Sequence, residues 1–355
     1  MGKNSRILDH FNGRKVDEWD MFVKAIPVLS TTVMRAVIVS KFGGPEVLEV
    51  RRDIPIPKPE ASEVLIKVAA IGINPVDTYI RAGNYGRLPE LPYIPGNDVA
   101  GTIVQAGADV KNFKEGDRVA TFMRVKSGAY AEYCVTHPDW LIQIPENCDF
   151  RKGAAVGVPY FTAYKALLLK AKAKPTDVVL VHGASGGVGL AACQLALSQG
   201  MTTLGTAGSE EGMEALRGLG VHHVFNHKEE GYTEKITKVT GGGPTIILEM
   251  LSNVNLNEDL KLLAPNGVVV VVGCRGTIDI NPRLLMAKET QIQGVALGVS
   301  QPEEFALMNR AISAGLKQGW LDPVVGKEFS LNNAARAHEE IIHNTGAKGK
   351  MVLIV

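Results

Sequence analysis

From Met34 to about Pro159, short apolar runs alternate with turn clusters. Residues 34–39, 64–70 and 99–104 are rich in β-branched side chains and bounded by Gly or Pro, the pattern of short strands. Gly43-Gly44-Pro45, Pro55 to Pro59 and Pro92 to Gly96 punctuate them. This stretch therefore reads as all-β, a compact barrel or folded sheet. After Pro159 the texture changes. Residues 178–181 read as a short buried strand, followed by a glycine-rich turn over 183–189 and an amphipathic helix to about Gln199. Strands over 202–206, 223–226, 246–250, 268–273 and 291–297 follow, with helices such as 210–219 between them. Strand and helix alternation predicts a parallel sheet covered on both faces. The last segment carries helices near 303–315 and 334–343 and a closing strand over 350–355. It is expected to rejoin the first domain. The division is then 1–33, a mobile extension; 34–158, completed by 302–355; and 159–301.

The strongest chemical signal is Val178-Val-Leu-Val-His-Gly-Ala-Ser-Gly-Gly-Val-Gly189. Strand, tight turn and helix entry come in the order a dinucleotide site needs. The spacing is G-x-x-G-x-x-G, but the physics of the more familiar G-x-G-x-x-G is retained. Small residues let the backbone approach a pyrophosphate, and the unpaired N–H groups opening the helix present about half a positive charge to it. An acid about 20 residues beyond the glycines would bind a ribose 2′-hydroxyl and repel a 2′-phosphate. Here the second strand ends in Thr206-Ala207-Gly208-Ser209, with no acid at its tip. Glu210 and Glu211 read as first-turn acids behind a Ser209 N-cap. His227 and Lys228, after the third strand, could meet a 2′-phosphate, so the expected cofactor is NADPH.

Composition narrows the class further. At 355 residues the soft prior is two domains, and 45% hydrophobic with 21% charged residues is ordinary for a globular chain. Thirty-eight basic against 37 acidic residues leave a formal charge of +1, so no global field marks a nucleic-acid binder. Cys134, Cys148, Cys193 and Cys274 are widely spaced and form no C-x-x-C pair, which argues against a disulfide framework or a cysteine-rich zinc lobe. That usage fits a cytoplasmic setting. No apolar run approaches the ~20 residues of a membrane helix. Residues 1–33 hold Asp9, Asp17, Glu18 and Asp20, unlike a transit or secretory peptide.

Taken together the motifs resemble the quinone oxidoreductase branch of the zinc-independent medium-chain dehydrogenase/reductase superfamily. The resemblance runs from about Met34 to Val355. It rests on Phe42-Gly-Gly-Pro-Glu-Val-Leu48, Gly72-Ile-Asn-Pro-Val-Asp-Thr-Tyr-Ile-Arg81 and Pro95-Gly-Asn-Asp-Val-Ala-Gly101. Gly116-Asp-Arg-Val119, Gly128-Ala-Tyr-Ala-Glu-Tyr133 and Pro159-Tyr-Phe-Thr-Ala-Tyr164 extend it, as do His182–Gly189, Glu249-Met-Leu-Ser-Asn-Val-Asn255 and Val271-Val-Gly-Cys-Arg-Gly276. It implies an α/β protein with a GroES-like β-rich catalytic domain, a Rossmann domain and a homotetramer. It also implies cofactor contacts from Tyr79, Ser185, Gly186, Gly187, Val188, Gly208, His227, Asn255, Val272, Gly273, Cys274, Arg275, Val295, Ala296 and Leu297. Cys274 departs from the Ser or Ala expected there, which a backbone contact would tolerate.

Zinc alcohol dehydrogenases of the superfamily carry Cys where Asn74 stands and Gly-His-Glu where this chain has Gly96-Asn97-Asp98. Asn is a poor zinc ligand, so no metal is expected. Without a Lewis acid to polarise an alcohol, the acceptor should already be electron-poor, such as a quinone or an enone. Tyr79, Asn74 and Tyr85 are the acceptor-site candidates. Tyr79 has three readings: a hydrogen bond to the acceptor oxygen, positioning of the nicotinamide, or simple packing. Asn74 reads equally well as a turn residue before Pro75, and Tyr85 as a surface aromatic. The reaction expected is NADPH-dependent reduction of quinones, ortho-quinones first, with one-electron steps open. The alternatives are an enone or enoyl-thioester reductase, or a non-catalytic role, crystallin-like or in binding AU-rich RNA, the last by family resemblance alone.

Overall fold

The computed structural model describes residues 32–123, 125–343, 346 and 348–355. The expected extension over 1–33 lies outside them except for its last two residues, and Val33 already opens the first strand.

The first part of the chain supplies strands β1 (Val33–Val39), β2 (Leu48–Pro55), β3 (Val64–Gly72), β4 (Asp98–Ala106), β5 (Arg118–Thr121), β6 (Tyr133–Thr136) and β7 (Leu141–Gln143). Three helices interrupt this region, which the sequence pattern reads as all-β: α1 (Pro75–Arg81), α2 (Phe150–Ala154) and α3 (Gly157–Tyr164), the last continuing as a π-helical turn over Lys165–Lys170. The local chemistry explains α1. Asn74 and Asp77 close a reciprocal capping box around Pro75 at the first helical position. Seven residues are too few to show a 3.6-residue period.

The middle of the chain gives β8 (Val178–Val181), β9 (Thr202–Ala207), β10 (His223–Asn226), β11 (Ile246–Glu249), β12 (Val268–Val271) and β13 (Gln291–Gly294). Between them run α4 (Gly187–Ser198), α5 (Glu210–Gly218), α6 (Tyr232–Thr240), α7 (Ser252–Leu262) and α8 (Arg283–Lys288). The expected strand over 291–297 stops at Gly294, and Leu297–Val299 forms a short 3-10 turn. The helix after the glycine turn differs from expectation too. It is not amphipathic, because every residue from 189 to 196 is buried. It is enclosed between the parallel sheet and α3, against which it packs.

The chain closes with α9 (Pro302–Gln318), β14 (Val325–Ser330), α10 (Ala334–His343) and β15 (Lys350–Ile354). Among the described residues the strands form three sheets. A two-stranded ribbon pairs β1 with β2, and a seven-stranded sheet runs β14-β15-β3-β4-β5-β7 with β6 also on β3. The third is six-stranded and all parallel, in the order β10-β9-β8-β11-β12-β13. That is a doubly wound order that reverses between β8 and β11, where ligands of such sheets bind. The closing strand β15 pairs antiparallel with β3, whereas α9 lays Phe305, Met308 and Ile312 into the core shared with Phe122 and Phe161.

Candidate active site

The glycine turn leaves β8 at its carboxyl end, and its glycines act differently. Gly183 takes φ +55°, the left-handed turn that starts the loop. Gly189 lies so close to the turn itself that a Cβ would stand 2.5 Å from Ala184 Cα. Gly186 and Gly187 are open instead. A Cβ on either meets nothing nearer than 3.4 Å, so the space beside the first turn of α4 is free for a pyrophosphate. The turn is held by Gly349, whose N–H donates to Ser185 O at 2.8 Å.

At the tip of β9 stands Gly208. A Cβ there would lie 2.7 Å from His227 Nε2 and 3.1 Å from Lys228 Cε, so the absence of a side chain is what lets these two groups close on the tip. Burial, with the nearby His182 and Lys228, holds the His227 imidazole below its ordinary pKa, which favours the neutral ring. Glu210 is turned away in an ion pair with Arg217 at 2.6 Å, and Ser209 caps α5 through Gly212 N–H at 3.2 Å. Both agree with reading these acids as helix-terminal.

The remaining cofactor candidates also lie past the carboxyl ends of the parallel strands. Val272, Gly273, Cys274 and Arg275 follow β12, and Val295, Ala296 and Leu297 follow β13. Cys274 is exposed and donates to Gly276 O at 3.0 Å. Arg275 is held by its N–H to Asn253 Oδ1 at 2.8 Å and by its guanidinium to Ile342 O. Asn255, on α7, gives its amide to Glu249 at 3.2 Å.

Sequence reasoning missed what lies beneath this rim. The buried Lys165 donates to Ala296 O and Ser300 Oγ, which fixes the loop after β13. His182 bonds Asp259 Oδ1 at 3.0 Å, with Glu249 at 3.8 Å. Burial opposes the charged form of His182, but the Asp259 hydrogen bond and both carboxylates outweigh it and raise its pKa. Burial pushes the Glu249 carboxyl up. The signal available was a histidine ending an otherwise apolar strand.

On the other wall, Asn74 is 2% exposed and caps α1. Its Nδ2 donates to Asp98 Oδ2 at 2.9 Å, and its Oδ1 accepts from Lys350 Nζ. Lys350 also reaches Asp98 Oδ2 at 3.1 Å, while Asp98 Oδ1 accepts from Val158 N–H. An ammonium therefore lies between the two side chains that stand in for a metal ligand and its carboxylate neighbour. A divalent cation would have to displace it, so the donor set does not fit zinc. The signal for Lys350 was a charge opening the apolar run Lys350-Met-Val-Leu-Ile354. Tyr79 lies half-buried on α1, with its carbonyl accepting from Asn84 N–H at 2.9 Å. Tyr85 sits on the following turn, 48% exposed. Of the three acceptor candidates, only Asn74 is enclosed, and its amide is engaged by protein on both sides.

A glycine turn at the switch point of a doubly wound sheet, facing a second β-rich sheet that ends on Lys350, defines a dehydrogenase/reductase of the medium-chain type built to hold a nicotinamide dinucleotide. The sequence matches the alcohol dehydrogenase GroES-like domain over residues 60–146 and the zinc-binding dehydrogenase family over 187–314. It is 54% identical to a rat quinone oxidoreductase over 324 residues, covering 91% of this chain and 98% of that one. The human quinone oxidoreductase is 55% identical with the same coverage. The structure of an Escherichia coli quinone oxidoreductase complexed with NADPH superposes with a TM-score of 0.79 at 30% identity, covering 92% of this chain and 100% of that one. The chain belongs to the quinone oxidoreductase, or zeta-crystallin, family and is an oxidoreductase.

Proposed function

We propose that the protein reduces quinones, ortho-quinones first, at the expense of NADPH and without zinc. The observation that carries the zinc-free part is Lys350, whose ammonium bridges Asn74 and Asp98. With no Lewis acid to activate an alcohol, the chemistry suits an acceptor that is already electron-poor. The names of the rat and human relatives point the same way. NADPH is favoured by Gly208 with His227 and Lys228 at the tip of β9, where an acid would select NADH. When bound, the dinucleotide supplies the hydride or electrons. The protein's part is to seat the pyrophosphate on Gly186, Gly187 and the first turn of α4, and to frame the nicotinamide end with Tyr79, Val272 to Arg275 and Val295 to Leu297. Tyr85, at 48% exposure, belongs to the rim of the acceptor site.

In this reading residues 34–158 with 302–355 form the catalytic domain and 159–301 the cofactor domain. The family resemblance adds a homotetramer and a cytoplasmic setting. No helix among the described residues is long and apolar enough to cross a membrane. The test is NADPH oxidation against a panel of ortho-quinones, para-quinones, alkenals and enoyl thioesters, repeated with NADH. Ortho-quinones with NADPH should turn over fastest. Preference for an enoyl thioester would establish an enoyl reductase in its place.

A further inference from the structure

Beneath the switch point of the parallel sheet, three ionisable side chains are closed off from water. His182 follows β8, Glu249 ends β11 and Asp259 comes from α7. They are 3%, 0% and 2% exposed, and one nitrogen or oxygen from each lies within 4.8 Å of the others. Their bonds reach the loops after β8, β11 and β12. Glu249 Oε1 accepts from Leu251 N–H, and Asn255 Nδ2 lies 3.2 Å from Oε1 and 3.3 Å from Oε2. The Glu249 carbonyl accepts from Val272 N–H at 2.8 Å. On the other side, His182 Nδ1 pairs with Thr206 Oγ1 at 3.3 Å. That oxygen accepts from Gly183 N–H at 3.2 Å, at the residue where the glycine turn begins. The cluster thus ties the turn, Asn255 and the loop after β12 into one arrangement.

The hydrogen bonds of the cluster fix its proton count. Asp259 Oδ1 accepts from His182 Nε2 at 3.0 Å, whereas Asp259 Oδ2 is buried with no partner among the described residues. An unpaired buried carboxylate oxygen is costly. Glu249 and Asp259 are also hydrogen-bond partners, and two carboxyl groups bond each other only when one carries a proton. His182 already donates to Asp259, so the extra proton belongs to Glu249. Of its oxygens, Oε1 is turned to Leu251 N–H, and Oε2 lies 3.8 Å from His182 Nε2. The proton therefore sits on Oε2 and completes Asp259 Oδ2. Burial pushes the Glu249 carboxyl up to about 7, against the His182 charge, and Asp259 adds to the rise. A divalent cation would suit the same ligand types, but His182 and Asp259 already close on each other without one.

We propose that His182, Asp259 and Glu249 are positioning residues of the dinucleotide site, set for binding while Glu249 holds its proton. Once that proton is lost, two buried carboxylates face each other and Asp259 Oδ2 is stranded. The segment from Leu251 to Asn255 and the glycine turn then lose their common support. Dinucleotide affinity falls as pH rises, and by linkage a bound dinucleotide holds the proton more tightly. The inference rests on the reading above that the glycine turn seats the pyrophosphate. The titratable groups facing Glu249 are His182 after β8, Asp259 from α7 and Tyr232 from α6, with His227 beyond His182.

Glu249→Gln keeps an acceptor for Leu251 N–H and an N–H for Asp259 Oδ2, so it copies the protonated form but cannot ionise. In the full chain, the wild-type Kd for NADPH, read by fluorescence titration, should rise as pH passes about 7. The rise should reach at most about tenfold per pH unit, the limit for one linked proton. His227 is held below its ordinary pKa, so its own titration falls on the acid side of this window. Glu249→Gln should bind NADPH as wild type does at neutral pH and lack the alkaline rise. Glu249→Ala should bind several-fold more weakly already at neutral pH. A readout free of cofactor is the infrared C=O stretch of a protonated carboxyl. One such band should titrate near 7 and vanish in Glu249→Gln, while any band from Asp77, which burial also raises, persists. Should neither Glu249 variant fold, Asp259→Asn serves: with the Asp259 charge gone, the Glu249 band should titrate at lower pH. An alkaline rise or an infrared band that survives Glu249→Gln, or a band unmoved in Asp259→Asn, would each overturn the proposal. So would one divalent cation per chain that Glu249→Gln releases. Wild-type binding with no alkaline rise is the failure of this proposal. No binding of NADPH or NADH at any pH is instead the failure of the cofactor reading beneath it.

Discussion

Lys350→Met should destabilise the protein far more than its place next to the C-terminus suggests. The ammonium lies 3.1 Å from Asp98 Oδ2, with the two side chains 5% and 0% exposed. At an effective dielectric of about 20 their attraction is about 5 kcal/mol, but burial opposes the charged form and holds the Lys350 ammonium below its ordinary pKa despite Asp98 and Asp77. Removing one member of a buried pair costs about 3–5 kcal/mol, because the other charge is left behind. Asp98 would keep two donors, Asn74 Nδ2 and Val158 N–H, each at 2.9 Å, which places the loss at the lower end. A loss of about 3 kcal/mol is roughly a hundredfold in the folded-to-unfolded ratio. The assay is urea unfolding followed by tryptophan fluorescence. Lys350→Met combined with Asp98→Asn should recover about 1–3 kcal/mol of the loss, since the stranded carboxylate goes too. A single-variant cost below about 1 kcal/mol, or strict additivity in the double variant, would refute the bridging role of this ammonium.

Gly187→Val should fold, because a Cβ there meets only Lys350 and Pro159 at 3.5 Å, yet its methyls would occupy the open face of the turn. Fluorescence titration should show NADPH affinity abolished, and near-normal binding would remove the turn from the site. Replacing His227 and Lys228 together with Ala should weaken NADPH about ten- to a hundredfold, the value of one hydrogen bond to a charged group, and NADH much less. Equal losses for both dinucleotides would assign the discrimination to other residues. Tyr79→Phe should cost less than about tenfold in ortho-quinone turnover while weakening NADPH binding, as for a positioning group rather than the general acid. A thousandfold fall in turnover at unchanged NADPH affinity would make Tyr79 the catalytic acid.

The cofactor half was legible because its determinants are local. A run of four apolar residues, a turn needing positive φ at Gly183, open positions at Gly186 and Gly187, and free N–H groups at a helix start all lie within twelve residues of Val178. Two local readings failed for physical reasons. α1 is set by its caps rather than by any periodicity, and α4 is buried from 189 to 196 because α3 covers the face that solvent would otherwise take. Lys350 was passed over because a buried charge and an exposed one look alike in sequence.

By itself the sequence determined the strand and helix alternation of the cofactor half, several strands of the first half, and that the dinucleotide turn carries no acid at its second strand. The tertiary structure alone decided which donor meets which acceptor. Arg81 orients His338 across 257 residues, and Lys350 meets Asn74 across 276. Such pairs arise when β15 closes on β3 and α10 packs against α1, which brings distant side chains out of water together. Charge state follows the same rule, since the apolar surroundings that raise the Asp77 carboxyl exist only once those elements have packed.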